Sequence, residues 1–231
     1  MNEPARPRRT GLPHNPGVRE LIANKRRYSS PPTQADAKLG FNGWNESGYL
    51  PHRDEPGLVQ FVTFRLIDSF PESLRSEWAH LWNIEDVLDR RMKLENYLDK
   101  GHGERHLRAP EIANIVEAAL RIFHGARYDL RAWAIMSNHV HVLFKVDLVP
   151  MAEIIESWKK HTANKANRTL KRQGAFWAAG YFDTYARNLK HEQTIVRYIE
   201  NNPVKARLVT NPKDWAWSSA RFRDKYGRLC L

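Results

Sequence analysis

Two histidines separated by one residue, His139 and His141, lie within the run Ala132-Trp133-Ala134-Ile135-Met136-Ser137-Asn138-His139-Val140-His141-Val142-Leu143-Phe144. Its β-branched, aliphatic and aromatic residues read as two strands, with Ser137-Asn138 as the turn between them. Side chains alternate along a strand, so His139 and His141 project from one face. Two imidazoles on one face are either half of a divalent-metal site or a pair of hydrogen-bonded surface histidines, and spacing alone leaves both open. Downstream, Tyr198 and Asn202 are four residues apart in a helical stretch and share a face. Asn202 offers a carbonyl oxygen, a hard third ligand suited to Mg²⁺ or Mn²⁺. Tyr198 offers a phenol, which is a nucleophile only if something assists it and is otherwise an ordinary half-buried helix tyrosine.

The elements that must position these residues can be read along the chain. Residues 58–66 form a β-branched and aromatic strand. Pro71-Glu72 opens a helical region reaching about residue 99, with a break near Asn83. His102 and His106 follow in a polar Gly-rich loop, where a metal reading is weak. Pro110 starts a helix whose apolar face carries Ile112, Ile115, Val116, Ala119, Leu120 and Phe123. Strands at 128–136 and 139–146 come next, then a helix at 151–170, then a short aromatic-flanked strand within 173–185. A last helix at 192–202 is expected to end before Pro203. Trp215, Trp217, Ser218 and Ser219 read as a cap against the core. This order suits an α+β sandwich with helices on one face of an antiparallel sheet, which can set the last helix beside the histidine strand.

Composition narrows the class. The chain has 231 residues, 42% of them hydrophobic and 27% charged, and a net charge of +11. Residues 1–30 hold seven Lys/Arg against two acids, and residues 151–209 hold eleven against five; these two blocks account for the whole surplus. Cations concentrated this way favour a polyanion partner. Residues 1–40, rich in proline and basic residues, read as a flexible arm with one possible helix at 18–27. The main domain is expected over 41–222, with a helical insertion at about 72–108 and a short tail at 223–231. No apolar run suits a membrane span or a secretory signal, and Cys230 is the only cysteine, so a cytoplasmic setting is expected. No GxxxxGK[ST] loop is present, so no nucleotide cofactor is expected.

Several segments together carry a family resemblance. Asn138-His139-Val140-His141 is similar to the His-hydrophobe-His motif of the HUH superfamily of single-strand DNA endonucleases and transposases. Gly180-Tyr181-Phe182-Asp183, Val196-Arg197-Tyr198-Ile199-Glu200-Asn201-Asn202-Pro203-Val204-Lys205 and Trp215-Ala216-Trp217-Ser218-Ser219-Ala220 resemble the REP-associated tyrosine transposases. These are single-tyrosine relatives of small insertion-sequence transposases. Gly48-Tyr49-Leu50-Pro51-His52 and Val62-Thr63-Phe64-Arg65-Leu66 look like the family's first strand region, so the resemblance spans roughly residues 45–222.

The resemblance implies a ferredoxin-like fold, a catalytic Tyr198, and a Mg²⁺ or Mn²⁺ ion on His139, His141 and Asn202. It implies cleavage of single-stranded DNA at or near a hairpin repeat through a 5′-phosphotyrosine link. Tyr181 and Tyr185 are competing hydroxyls without the four-residue relation to a ligand. The 72–108 insertion and the basic arm do not belong to the minimal transposase core. Lys159, Lys160, Lys165, Arg168, Arg197 and Lys205 are expected to track a DNA backbone, and Trp177 and Phe182 to stack on unpaired bases, worth ~1–3 kcal/mol per base. The alternative is a domesticated hairpin-DNA binder or regulator without cleavage, with an RNA-directed protein on the same sandwich as a third reading. Monomer and homodimer both remain open.

Overall fold

A computed structural model describes residues 31–47, 50–84 and 86–231. The candidate helix at 18–27 and residues 48–49 of the first resembling segment lie outside the described residues. In chain order the elements are α1 (Gln34–Lys38), β1 (Gly43–Ser47), β2 (Leu50–Asp54), β3 (Val59–Arg65), α2 (Arg75–Trp78), α3 (Val87–Asp99), α4 (Pro110–Arg121), β4 (Tyr128–Ile135), β5 (His139–Val146), α5 (Met151–Thr169), β6 (Phe182–Tyr185) and α6 (Leu189–Lys205). The helical region after Pro71 is broken as expected, with 3₁₀ turns at Glu72–Leu74 and Ala79–Asn83 flanking α2.

β1 and β2 form a separate hairpin, and the main sheet runs β4-β5-β3-β6 with every pair antiparallel. The order β3-α4-β4-β5-α5-β6 is a β-α-β-β-α-β arrangement, the ferredoxin-like topology. The crossover helices α4 and α5 lie on one face, as expected. Ile112, Val116 and Leu120 of α4 and Ile154, Ile155 and Trp158 of α5 pack on Val62, Phe64, Val140, Val142 and Phe144. Strand alternation puts Phe61, Ala132, Ala134 and Leu143 on the other face, where Ile195 and Ile199 of α6 cover them. Burying each such isoleucine contributes ~1.5–3 kcal/mol, and this apolar contact fixes α6 against the histidine strand. β4 is an edge strand, and two of its N–H groups are satisfied from outside the sheet. Trp133 N–H donates to Ser219 Oγ (3.0 Å) and Ile135 N–H to the Trp217 carbonyl (3.0 Å), so the tail does cap the core.

Two local features place the site. Asn188 Oδ1 accepts the His191 N–H (2.9 Å) and starts α6. The helix then continues through Pro203 to Lys205, past its expected end. Proline costs the bond to the Ile199 carbonyl, yet Asn202 is held from outside by His141, and Ala206 N–H closes the next turn on the Asn202 carbonyl (2.9 Å). The extra turn carries Lys205. On α3, Asp86 caps the first turn by accepting the Asp89 N–H (2.7 Å). Leu94, Tyr97 and Leu98 pack with Phe70, Leu81 and Phe182, and this turns Glu95 and Asp99 toward α6.

Candidate active site

The site lies where β3, β5, α3 and α6 meet. Thr63 pairs with His141 across the β3–β5 ladder, so its hydroxyl reaches the His141 ring. Thr63 Oγ1 lies 2.8 Å from His141 Nδ1 and 3.1 Å from Glu95 Oε1. A carboxylate can only accept, so Thr63 donates its single proton to Glu95 and accepts from His141 Nδ1–H. That tautomer leaves a lone pair on His141 Nε2. Asn138 constrains His139 in the same way. Its Nδ2 donates to the His102 carbonyl (2.9 Å), so Oδ1 faces His139 Nδ1 at 2.8 Å and must accept from it. His139 Nε2 also carries a lone pair.

The two Nε2 atoms are 3.1 Å apart, in rings that are 1% and 0% exposed. Two facing lone pairs at that distance repel unless a cation lies between them. A separation of ~3 Å is also what two donors bound to one ion at ~2.1 Å would show. Asp99 Oδ1 lies 3.5 Å from His139 Nε2, and the ligating atoms of Asp99, His139 and His141 all fall within 4.8 Å of one another. Asn202 Nδ2 is 3.2 Å from His141 Nε2. Asp99 Oδ1 and Asn202 Oδ1 are both buried and have no hydrogen-bond partner among the described residues. Rotating the Asn202 amide by 180° would bring its oxygen to the Nε2 pair. The donor set, two imidazoles and two oxygen donors, fits a divalent ion.

Electrostatics agree with a neutral His141. Burial, then the neighbouring His139, pulls His141 down to about 3. Burial alone would raise Asp99, but His139, His141 and Lys205 hold it well below the usual carboxylate range. Glu95 is likewise held low despite burial, chiefly by Arg91 and then His141. Tyr198 donates its hydroxyl to Glu95 Oε2 (3.0 Å), and its ring centroid lies 5.7 Å from that of His141. Burial, then the Glu95 and Asp99 carboxylates, push the phenol well above its ordinary value. Tyr198 therefore stays protonated until a base takes its proton.

The structure thus brings together His139, His141, Tyr198 and Asn202, and adds Glu95 and Asp99 from the 72–108 segment. The expected nucleic-acid contacts fare differently. Trp177 is 5% exposed and donates its indole N–H to Thr162 Oγ1 (2.9 Å); Phe182 is also 5% exposed and stacks on Trp82. Both are core residues with no ring face open to a base. Lys159 is drawn inward onto the carbonyls of Ala178 (2.6 Å), Ala179 (2.8 Å) and Gly180 (3.3 Å), and burial, then Arg65, lowers it to about 8. Lys205 is held by Asp99 Oδ2 (2.8 Å) and Asn96 Oδ1 (2.7 Å). Lys160, Lys165 and Arg168 are exposed on α5, across the sheet from the histidines. Arg197 is exposed and lines a cavity of about 800 Å³ with Arg131 and Arg223.

The other candidates lie elsewhere. Tyr181 packs on His52 and Tyr185 on Trp44. His102 faces Glu77 at 3.9 Å and His106 stacks on Phe176, so neither belongs to the cluster. Among the described residues no helix is long and apolar enough to cross a membrane.

No curated protein matches the chain. A solved structure described as "Structure of the REP associates tyrosine transposase bound to a REP hairpin" aligns with a TM-score of 0.47 and 17% identity, over 76% of this chain and 84% of that one. The family model described as "Transposase IS200 like" matches residues 105–202, which run from the start of the α4 region through the histidine strand to Asn202. Glu95 and Asp99 fall outside that segment. The matched segment includes His139, His141, Tyr198 and Asn202.

Proposed function

We propose that this protein cuts and rejoins single-stranded DNA beside a hairpin repeat, with Tyr198 as the nucleophile. The observation that carries the reading is the Tyr198 hydroxyl, bonded to a carboxylate and set beside two imidazoles whose lone pairs converge. His139, His141 and an oxygen donor from Asp99 or Asn202 would hold Mg²⁺ or Mn²⁺, which supplies Lewis-acid activation of a phosphate oxygen and offsets its developing charge. The remaining steps fall to side chains of this chain. Glu95 Oε2, already the acceptor of the Tyr198 proton, takes that proton as the phenolic oxygen forms its bond to phosphorus. The P–O3′ bond breaks and leaves a 3′-hydroxyl once that oxygen is protonated, with the 5′ side esterified to Tyr198. Reversal by a 3′-hydroxyl rejoins the strand. One phosphodiester replaces another, so no nucleoside triphosphate is consumed.

The structure described as bound to a REP hairpin supports looking for such a hairpin as substrate. The test is a covalent adduct. Labelled hairpin oligonucleotides from beside the gene, incubated with protein and Mn²⁺, should yield a denaturation-resistant protein–DNA band that Tyr198→Phe abolishes. An equal band from Tyr198→Phe overturns the assignment. Tight hairpin binding with no adduct under any divalent ion favours the non-cleaving binder.

A further inference from the structure

A second cavity, of about 270 Å³, opens on Tyr198 and is lined by neither His139 nor His141. Arg91, Glu95, Arg187, Thr184 and Phe61 are among its walls. Arg91 is 8% exposed, and its Nε donates to Glu95 Oε1 (3.1 Å) while its guanidinium lies 4.6 Å from the Phe61 ring centroid. Those two contacts fix the guanidinium plane. Nη1 and Nη2 are buried and have no hydrogen-bond partner among the described residues. A buried charged fork with unsatisfied donors is costly, because each desolvated donor without an acceptor loses its hydrogen bond to water. A fork held in place by a carboxylate on Nε and open on both Nη is suited to bidentate recognition of an oxyanion.

The charges suit a phosphodiester. Arg91 and Arg187 against Glu95 leave one net positive charge at the cavity, and a backbone phosphate carries one negative charge. Arg187 is exposed, so its guanidinium can swing to a ligand. Phe61 and Ile195 supply apolar wall for a sugar. The cavity adjoins the nucleophile through Glu95, which holds Arg91 by one oxygen and Tyr198 by the other.

We propose that this cavity is an anion subsite that seats the backbone phosphate next to the one attacked by Tyr198, with Arg91 as its main contact and Arg187 as its second. The proposal rests on the strand-cutting reading and adds a substrate contact, Arg91, that lies outside the residues matched to the transposase family. Its test needs no catalysis. Binding of a labelled single-stranded oligothymidylate by the full chain is followed by anisotropy across a salt series in EDTA. Each phosphate contact on a single strand contributes ~0.7 to the slope of log affinity against log salt. Arg187→Gln and Arg91→Gln are each expected to weaken binding and flatten that slope, by up to the ~0.7 of the one phosphate they share. Arg187 is on the surface, so its variant decides the matter even if Arg91→Gln, which strips Glu95 of its counter-charge, fails to fold.

Slopes equal to wild type in Arg187→Gln, and in Arg91→Gln wherever it folds, overturn the subsite. Adduct formation by wild type is read separately. An adduct with unchanged slopes removes the subsite and leaves the strand-cutting reading. Flattened slopes without an adduct do the reverse.

Discussion

Glu95→Gln separates the proton-acceptor role of Glu95 from its structural role. Glu95 makes three hydrogen bonds: Oε1 accepts from Arg91 Nε (3.1 Å) and Thr63 Oγ1 (3.1 Å), and Oε2 accepts from Tyr198 (3.0 Å). Glutamine is nearly isosteric. With its carbonyl at the Oε1 position it keeps the first two bonds, while its amide nitrogen, a donor only, faces the phenol. What is lost is the charge opposite a buried guanidinium and the acceptor for the Tyr198 proton. Removing one partner of a buried pair costs ~3–5 kcal/mol at most, and the two retained bonds place the loss toward or below the low end. A domain with ~5–15 kcal/mol of stability stays folded.

The chemical step should suffer more, because general-base assistance contributes ~10²–10⁴-fold. One effect opposes it: the Glu95 charge also helps hold the phenol well above its ordinary value, so its removal eases ionisation. Geometry decides between them, since no other acceptor contacts the Tyr198 hydroxyl among the described residues. The assay is single-turnover adduct formation at saturating Mn²⁺ and oligonucleotide. Glu95→Gln should react at least ~10²-fold more slowly, with a rate that climbs as pH rises because solvent must now take the proton. A rate within a few-fold of wild type, or a faster one, would show that the carboxylate only restrains the phenol.

Two further outcomes follow from the same site. Asp99→Asn should weaken Mn²⁺ binding, measured calorimetrically without DNA, by ~10-fold or more; unchanged affinity would assign the oxygen ligand to Asn202 alone. Acid should destabilise the metal-free protein. His141 is held down to about 3 in the fold, against ~6.5 unfolded, so between those values only the unfolded chain binds this proton and stability falls as pH drops. The slope approaches ~1.4 kcal/mol per pH unit, and the lowered Asp99 and Glu95 act in the same direction below the ordinary carboxylate range. Urea midpoints in EDTA should therefore decline below about pH 6 in wild type and less in His141→Gln. A flat midpoint between pH 7 and 5 would contradict it.

Much of this was legible from residue spacing, and the reason is periodicity. A two-residue repeat fixes which face His139 and His141 share, and a four-residue interval does the same for Tyr198 and Asn202, so each half of the site is local. That the halves meet depends on the topology, which the order of elements gave. Glu95, Asp99 and Arg91 were missed for a physical reason. Charged residues four apart on an amphipathic helix look the same whether they face water or a buried histidine pair. One signal was available: Glu95 and Asp99 each follow a fully buried leucine, Leu94 and Leu98, and so stand at the margin of the apolar stripe. Of the cations and aromatics assigned to nucleic acid, Lys159, Trp177 and Phe182 turn out to be drawn into the fold. Composition counts charges and rings but cannot say that Lys159 turns inward onto three carbonyls or that Trp177 lies under α5.

Residues 72–104, which lie outside the matched segment, form one wall of the site, and the way they are attached bears on how a strand would reach the histidines in the proposed function. α3 is anchored through Leu94, Tyr97 and Leu98 to Phe70, Leu81 and Phe182, whereas α6 is anchored through Ile195 and Ile199 to the sheet. Between the two helices the contacts are polar: Tyr198 to Glu95, and Lys205 to Asp99 and Asn96. The lysine side chain is 49% exposed, so its bridge to Asp99 contributes at most ~1 kcal/mol. Opening an apolar seam would expose surface at ~25 cal/mol per Å². In the proposed function, opening this one would exchange polar contacts for contacts to a phosphate chain, with Lys205 freed to meet it. The buried histidines and the extra turn after Pro203 then belong to one arrangement. α6 closes on α3 through groups that a polyanion can itself replace.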